Sequence, residues 1–126
     1  MLYWGIICSL GLGIHVCAHA KSLSADMQTL SSHYNQFQTA DNAKSALQAL
    51  SIMHIASLDS QKSVPHSLHG LKETDSQVQA YKAAYQPLIA TIEQARILVE
   101  SGKLEQAQLL MEKVEGIKKQ GHQRFK

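Results

Sequence analysis

Residues 75–125 read DSQVQAYKAAYQPLIATIEQARILVESGKLEQAQLLMEKVEGIKKQGHQRF. Apolar side chains recur in this stretch every three or four positions. Val78, Tyr81, Tyr85, Leu88, Ile92, Ala95 and Val99 precede Gly102, and Ala107, Met111 and Val114 follow it. That is the period of a helix with one buried face and not the alternation of a strand. The period lapses at Ser101-Gly102-Lys103, where a glycine can take the left-handed conformation that ends a helix. Two amphipathic helices joined by so short a turn fold back on one another as antiparallel neighbours. The spacing predicts one helix over 75–101 and another over 104–125, with Ile117, Lys118, His122 and Phe125 continuing the stripe of the second. Thr74 and Gln77 read as a capping box for the first of these. Pro87 should kink it by removing a hydrogen bond. Gly116 and Gly121 should weaken the last helix by about 1 kcal/mol each relative to alanine.

The same period extends toward the amino end. A helix is expected over 24–39, capped by Ser24, with Met27, Leu30, Tyr34 and Phe37 on one face. Asp41-Asn42 breaks the pattern and caps a further helix over 43–61, with Ala46, Leu47, Leu50, Met53 and Leu58 facing inward. A loop over 62–72 carries Pro65 and Gly70. No stretch alternates as a strand would. Four helices, two very short connections and one longer one point to an all-α, antiparallel up-down-up-down four-helix bundle over residues 21–126.

Residues 1–20 are of another kind. They contain no Lys, Arg, Asp or Glu, run apolar or small from Leu2 to Ile14, and end in Ala18-His19-Ala20. A small-x-small ending of this type is what signal peptidase accepts, so cleavage after Ala20 and export to the periplasm are expected. The positively charged start usual in such segments is missing. Both cysteines, Cys8 and Cys17, fall inside the segment, so the mature chain should have no disulfide, thiolate metal site or cysteine nucleophile.

The composition narrows the function. The 126 residues carry a net charge of +2, which is no nucleic-acid signature, and no apolar run reaches the roughly 20 residues that span a bilayer. No nucleophile-elbow, zinc-protease, phosphate-loop or dinucleotide motif appears, so nothing supports a hydrolase, and the chain is not expected to be an enzyme.

In an up-down-up-down bundle the first helix starts, and the last helix ends, at the same end. Met27 lies one turn into the first helix and His122 about one turn before the end of the last. At about 1.5 Å rise per residue both fall within about 4–6 Å of that end, on faces expected to point inward. Tyr81 and Tyr85 enter the same level from the first turns of the third helix, Leu30 from the first and Leu58 from the second. A soft sulfur, an imidazole nitrogen and flat aromatic walls suit a planar macrocycle with iron at its centre. Each donor alone has an ordinary reading: methionine as core filler, histidine as a favourable charge at a helix carboxyl end.

At these residues the chain resembles cytochrome b562. The likeness covers residues 21–126 and rests on SADMQTL around Met27, TADNA at 39–43, ALQAL at 46–50, LDSQK at 58–62, ESGKLEQAQ at 100–108 and KKQGHQRFK around His122. The resemblance implies one b-type haem per chain, with Met27 and His122 as axial ligands and Tyr81 and Tyr85 against the ring. It also implies a periplasmic electron carrier, expected to be a monomer in its mature form, away from membranes and serving a redox protein that the sequence does not identify. Lys118 stands where the family pattern usually has an arginine, Gly121 where it has a larger residue, and Pro87 lies outside the pattern. The five residues ending at His122, KKQGH, lack the two cysteines of a covalent haem motif, so haem would be bound without covalent links. With both axial positions filled by protein, outer-sphere electron transfer is favoured over oxygen chemistry. Lys118, Lys119, Arg124 and Lys126 are candidate partners for the haem propionates, or simply a solvated basic terminus.

Two other readings belong to other classes. The chain could be a haem-free exported bundle acting as an envelope binding or stress protein, since the fold alone does not specify function. It could also carry haem as cargo. His33, His54, His66 and His69 are expected to be ordinary solvated histidines and not a zinc or copper site.

Overall fold

The computed structural model describes residues 22–124. The targeting segment read over 1–20, its two cysteines, Phe125 and Lys126 lie outside the described residues. Among those described there is no strand, and no helix is long and apolar enough to cross a membrane. Six α-helical segments make four arms. The first arm is α1 (Leu23–Gln38) and the second α2 (Ala43–Lys62). The third consists of α3 (Ser76–Ala84) and α4 (Gln86–Glu100), and the fourth of α5 (Leu104–Met111) and α6 (Lys113–Arg124). α1 packs on α2, α2 on α4, α4 on α5, and α5 returns to α1, which closes an all-α four-helix bundle.

Local chemistry sets the ends of the elements. α1 is capped by Ser22 and not Ser24: the Ser22 hydroxyl accepts the Ala25 amide at 3.1 Å, so the helix begins a residue earlier than its apolar period. Asn42 caps α2 as expected, accepting from the Ser45 amide at 2.8 Å. Asp75, not a Thr74–Gln77 box, caps α3; its carboxylate accepts the Gln77 amide at 2.8 Å. The 62–72 loop contains a short 3-10 turn, His66–Leu68, that buries Leu68. After α4, Gly102 adopts φ +80°, with the Lys103 amide on the Leu98 carbonyl at 2.8 Å and the Gly102 amide on Val99 at 3.0 Å. These two bonds make a Schellman terminator.

Two of the expected helices are interrupted. The third breaks at Tyr85, whose amide turns back three residues to the Lys82 carbonyl at 3.2 Å. Pro87 becomes the second residue of a new helix, a position where its missing N–H is no loss. The fourth breaks at Glu112, where the amide again bonds three residues back, to Leu109 at 3.2 Å.

The core runs along the bundle axis and includes the fully buried Phe37, Leu50, Met53, Ile92 and Met111. At the turn joining the first two arms, the Gln108 amide of α5 donates to the carbonyls of Phe37 and Ala40, both at 3.0 Å, and Gln38 donates to the Gln108 carbonyl at 3.1 Å. The bond to Ala40 meets a carbonyl just past the end of α1, the Phe37 carbonyl also accepts the Ala40 amide at 3.2 Å, and the three bonds tie α5 to that turn. The opposite end is less densely filled. Within α6 only Val114 is buried.

Candidate functional site

At that opposite end a cleft lies between α1 and α6, with about 890 Å³ of atom-free space including its open mouth. α6 packs on α4 and not to any comparable extent on α1, so the two helices form facing walls with the cleft between them. Met27, His122, Tyr81 and Tyr85 all line it. The structure therefore brings all four expected site residues to one cavity, from three arms of the bundle. The floor and sides are mostly apolar, with Leu23, Leu30, Met53, Leu88 and Ile117 among the lining residues.

The donors differ in setting. Met27 is half-buried and packs at the edge of the core. His122 is exposed, in contrast to the inward placement expected from its stripe, and reaches the cleft from an outer wall. The reason is that α6 has the cleft, not another helix, on its inner side. Lys118 is likewise exposed and sits at the mouth with Glu115.

The two tyrosines are held by hydrogen bonds. The Tyr81 hydroxyl donates to the Ser60 carbonyl at 2.7 Å and lies 3.0 Å from the Ser63 carbonyl, closing the carboxyl end of α2. The Tyr85 hydroxyl is 3.1 Å away, and the rings meet edge to face at 5.2 Å. Burial pushes both phenols above their ordinary pKa, with Asp26 adding to the shift by its charge. Tyr81 thus serves the cavity as a wall and has its polar end committed elsewhere. Tyr81, Ala84, Tyr85 and Leu88 keep the spacing of one helix face across the break at Tyr85, and all four line the cleft.

Leu58 does not join them. It is 37 % exposed and absent from the cleft lining. At about 100° per residue, Leu58 is about 140° from Met53 around α2, whereas Ser57 and Ser60 fall within about 40° of it. Those serines are fully buried, and Ser57 turns its hydroxyl onto the Met53 carbonyl at 2.8 Å. Small residues there leave room for Tyr81.

Sequence reasoning missed Tyr34, Ser31 and Pro65 as lining residues, and Asp26 as a wholly buried carboxylate beside the site. Tyr34 was legible: it follows Met27 by seven positions on the face already assigned inward. Asp26 was not, because an acidic residue in a helix's first turn ordinarily faces solvent. Among the described residues, no group of three or more His, Cys, Asp or Glu is placed to hold a metal ion. His66 and His69 meet edge to face at 5.1 Å, and His54 is 3.7 Å from Glu93.

The cleft is concave and mostly apolar with a few polar groups converging on it, the general form of a cofactor site. Its donor set is one thioether and one imidazole in an apolar surround, which fits a haem iron and not a hard cation. Comparisons with known proteins agree. The chain is 27% identical over 107 residues to a Yersinia pestis protein named "Probable soluble cytochrome b562 2", covering 85% of this chain and 84% of that one. It is 26% identical over 110 residues to "Probable soluble cytochrome b562 1" of the same organism, covering 87% of each. Residues 22–126 match the sequence model of cytochrome b562, a span that takes in every arm of the bundle and all four cleft residues, and the chain belongs to the cytochrome b562 family.

Proposed function

We propose that this chain is a periplasmic electron carrier that binds one b-type haem without covalent links, between Met27 and His122. Its family is one of haem electron carriers and not of enzymes. The finer reading is carried by one observation: a thioether from the start of the chain's helices and an imidazole from their end line the same apolar cleft. A bound haem supplies a one-electron ferric/ferrous couple. Met27 would contribute a soft, weakly donating sulfur that favours the ferrous state. His122 would contribute an imidazole nitrogen. Tyr81, Tyr85, Leu30 and Leu88 keep water from the inner end of the cleft, and Lys118 at its mouth is placed for a carboxylate. The partner is a redox protein, and the mature protein acts as a monomer. Export rests on residues 1–20; amino-terminal sequencing of protein recovered from the periplasm should read Lys21-Ser22-Leu23.

Titration of the apoprotein with haemin, followed by visible spectra of both oxidation states, tests the ligand assignment. His122→Ala should lose most of its haem affinity. Met27→Ala should still bind haem but give a largely high-spin spectrum. Spectra like the wild type from either variant would remove that residue as a ligand. A colourless protein that fails to take up haemin would leave the haem-free envelope bundle in its place.

A further inference from the structure

The charge of the molecule is divided between α6 and the rest. α6 carries Lys113, Lys118, Lys119 and Arg124 against Glu115, a net of +3 with histidine neutral. The other described residues, 22–112, carry six basic and nine acidic side chains, a net of −3. The helix that forms one wall of the cleft is thus the basic pole of an otherwise acidic body. All four of its cations are exposed. Lys113, Lys118 and Lys119 make no ion pair among the described residues; of the other described cations Lys82 and Arg96 are paired with Glu73, Glu93 and Glu100, and Lys44, Lys62, Lys72 and Lys103 are not.

The cleft does not account for this charge. Of the described cations read as candidate propionate partners only Lys118 lines it; Lys119 and Arg124 do not, which removes them from the haem site, and neither does Lys113. Lys119 lies instead on the outer side of α6, where a shallow depression is lined by Glu115, Gly116, Lys118, Lys119, His122 and Gln123, two lysines against one carboxylate. Glycine at 116 leaves that surface low, with nothing within 4 Å of where a Cβ would stand.

We propose that the outer face of α6 is the docking surface for the electron-transfer partner, and that this partner is a protein with an acidic patch beside its own redox centre. The inference rests on the haem reading above and adds the partner's chemistry and its place. A basic pole on the cleft wall orients an acidic partner before contact, so that encounter brings the partner's redox centre against the helix whose His122 lines both the outer depression and the cleft. Such steering raises association rates by about 10- to 1000-fold at low salt. An anionic membrane is the poorer occupant. The exposed side chains of α6 are Lys, Glu, Gln, Gly, His and Arg, with no apolar anchor among them to enter a bilayer.

The test uses the haem-loaded full chain. Its reduced form is mixed with a small blue-copper protein bearing an acidic patch, and the second-order oxidation rate is followed from about 0.01 M to about 1 M ionic strength, where the Debye length falls from about 30 Å to about 3 Å. The rate should fall by on the order of 10-fold or more. Trianionic ferricyanide should show the same sign of salt dependence, and a tricationic cobalt–phenanthroline complex the opposite sign. The K113Q/K119Q variant, with both changes outside the cleft, should keep the wild-type haem spectrum and lose about 3-fold or more of the low-salt rate but none at high salt. A normal haem spectrum with a flat or rising salt profile, or with K113Q/K119Q matching the wild type at low salt, overturns the docking surface and leaves the haem reading intact. Absence of a haem spectrum overturns both. Cosedimentation of the wild type, but not of K113Q/K119Q, with phosphatidylglycerol vesicles at physiological salt would make a membrane the occupant and refute an acidic protein.

Discussion

Tyr81 is buried on one side against the cleft and on the other donates its only proton to the end of α2. Tyr81→Phe keeps the ring and removes the donor, leaving the Ser60 carbonyl with only its 3.1 Å bond from the Ser63 amide. The expected cost is about 0.5–1.5 kcal/mol, read from the urea unfolding midpoint. The pH dependence follows from burial, which raises the Tyr81 and Tyr85 hydroxyls above their ordinary pKa of 10.0. A raised folded-state pKa gives a contribution present in full below the unfolded value. It is lost as pH climbs from about 10 toward the folded value, because the unfolded chain releases those protons first. Unfolding should therefore become easier above about pH 10, and Tyr81→Phe should show a shallower alkaline slope. At this scale the shared level of Met27, His122, Tyr81 and Tyr85 was legible because helical spacing fixes level, whereas the exposed setting of His122 was not. Leu58 was misread because its apolar character was given more weight than its angle around α2. Asp26 was overlooked because no local pattern records what covers a first turn.

At the scale of elements, backbone conformation separates two glycines that have equal space around them. A Cβ at Gly102 or Gly116 would meet nothing within 4 Å. Gly102 sits at φ +80°, where an L-residue is strained, so Gly102→Ala should destabilise the protein by about 1–2 kcal/mol. Gly116 lies inside a helix, so Gly116→Ala should stabilise it by about 0.5–1 kcal/mol. Thermal unfolding of both variants checks the opposite signs; equal signs would mean that packing and not backbone decides these sites. The helix breaks follow another logic. Pro87 was visible in the sequence and a kink was expected, but the chain gives way at Tyr85 instead. Proline disfavours helical geometry behind it and fits a helix's first turn. The break at Glu112 has no proline or glycine to announce it; there α5, packed on α4, gives way to α6 along the cleft.

The whole molecule is packed unevenly along its axis. Reciprocal hydrogen bonds between α1 and α5 close one end, while at the other α6 buries only Val114. A ligand that fills the cleft would supply the contacts that α6 lacks. Haem binding should then stabilise the fold by about 2.7 kcal/mol when free haem is 100 times its dissociation constant. Amide hydrogen exchange should slow most within Lys113–Arg124 on haem loading and least in α2. Equal protection of α6 with and without haem would mean that the helix is held by the protein alone.

The sequence by itself determined four amphipathic arms, their antiparallel order and the common level of Met27 and His122. Those properties follow from a 3.6-residue period, short connections and a fixed rise per residue, all of which are local. Only the tertiary structure decided that α6 stands off from α1 to form a cleft, that His122 reaches it from an exposed wall, and that Ser57 and Ser60, not Leu58, are the buried residues near the end of α2. Which side chain meets which across a bundle depends on the separation and rotation of helices far apart in the chain. No periodicity within a single helix encodes that.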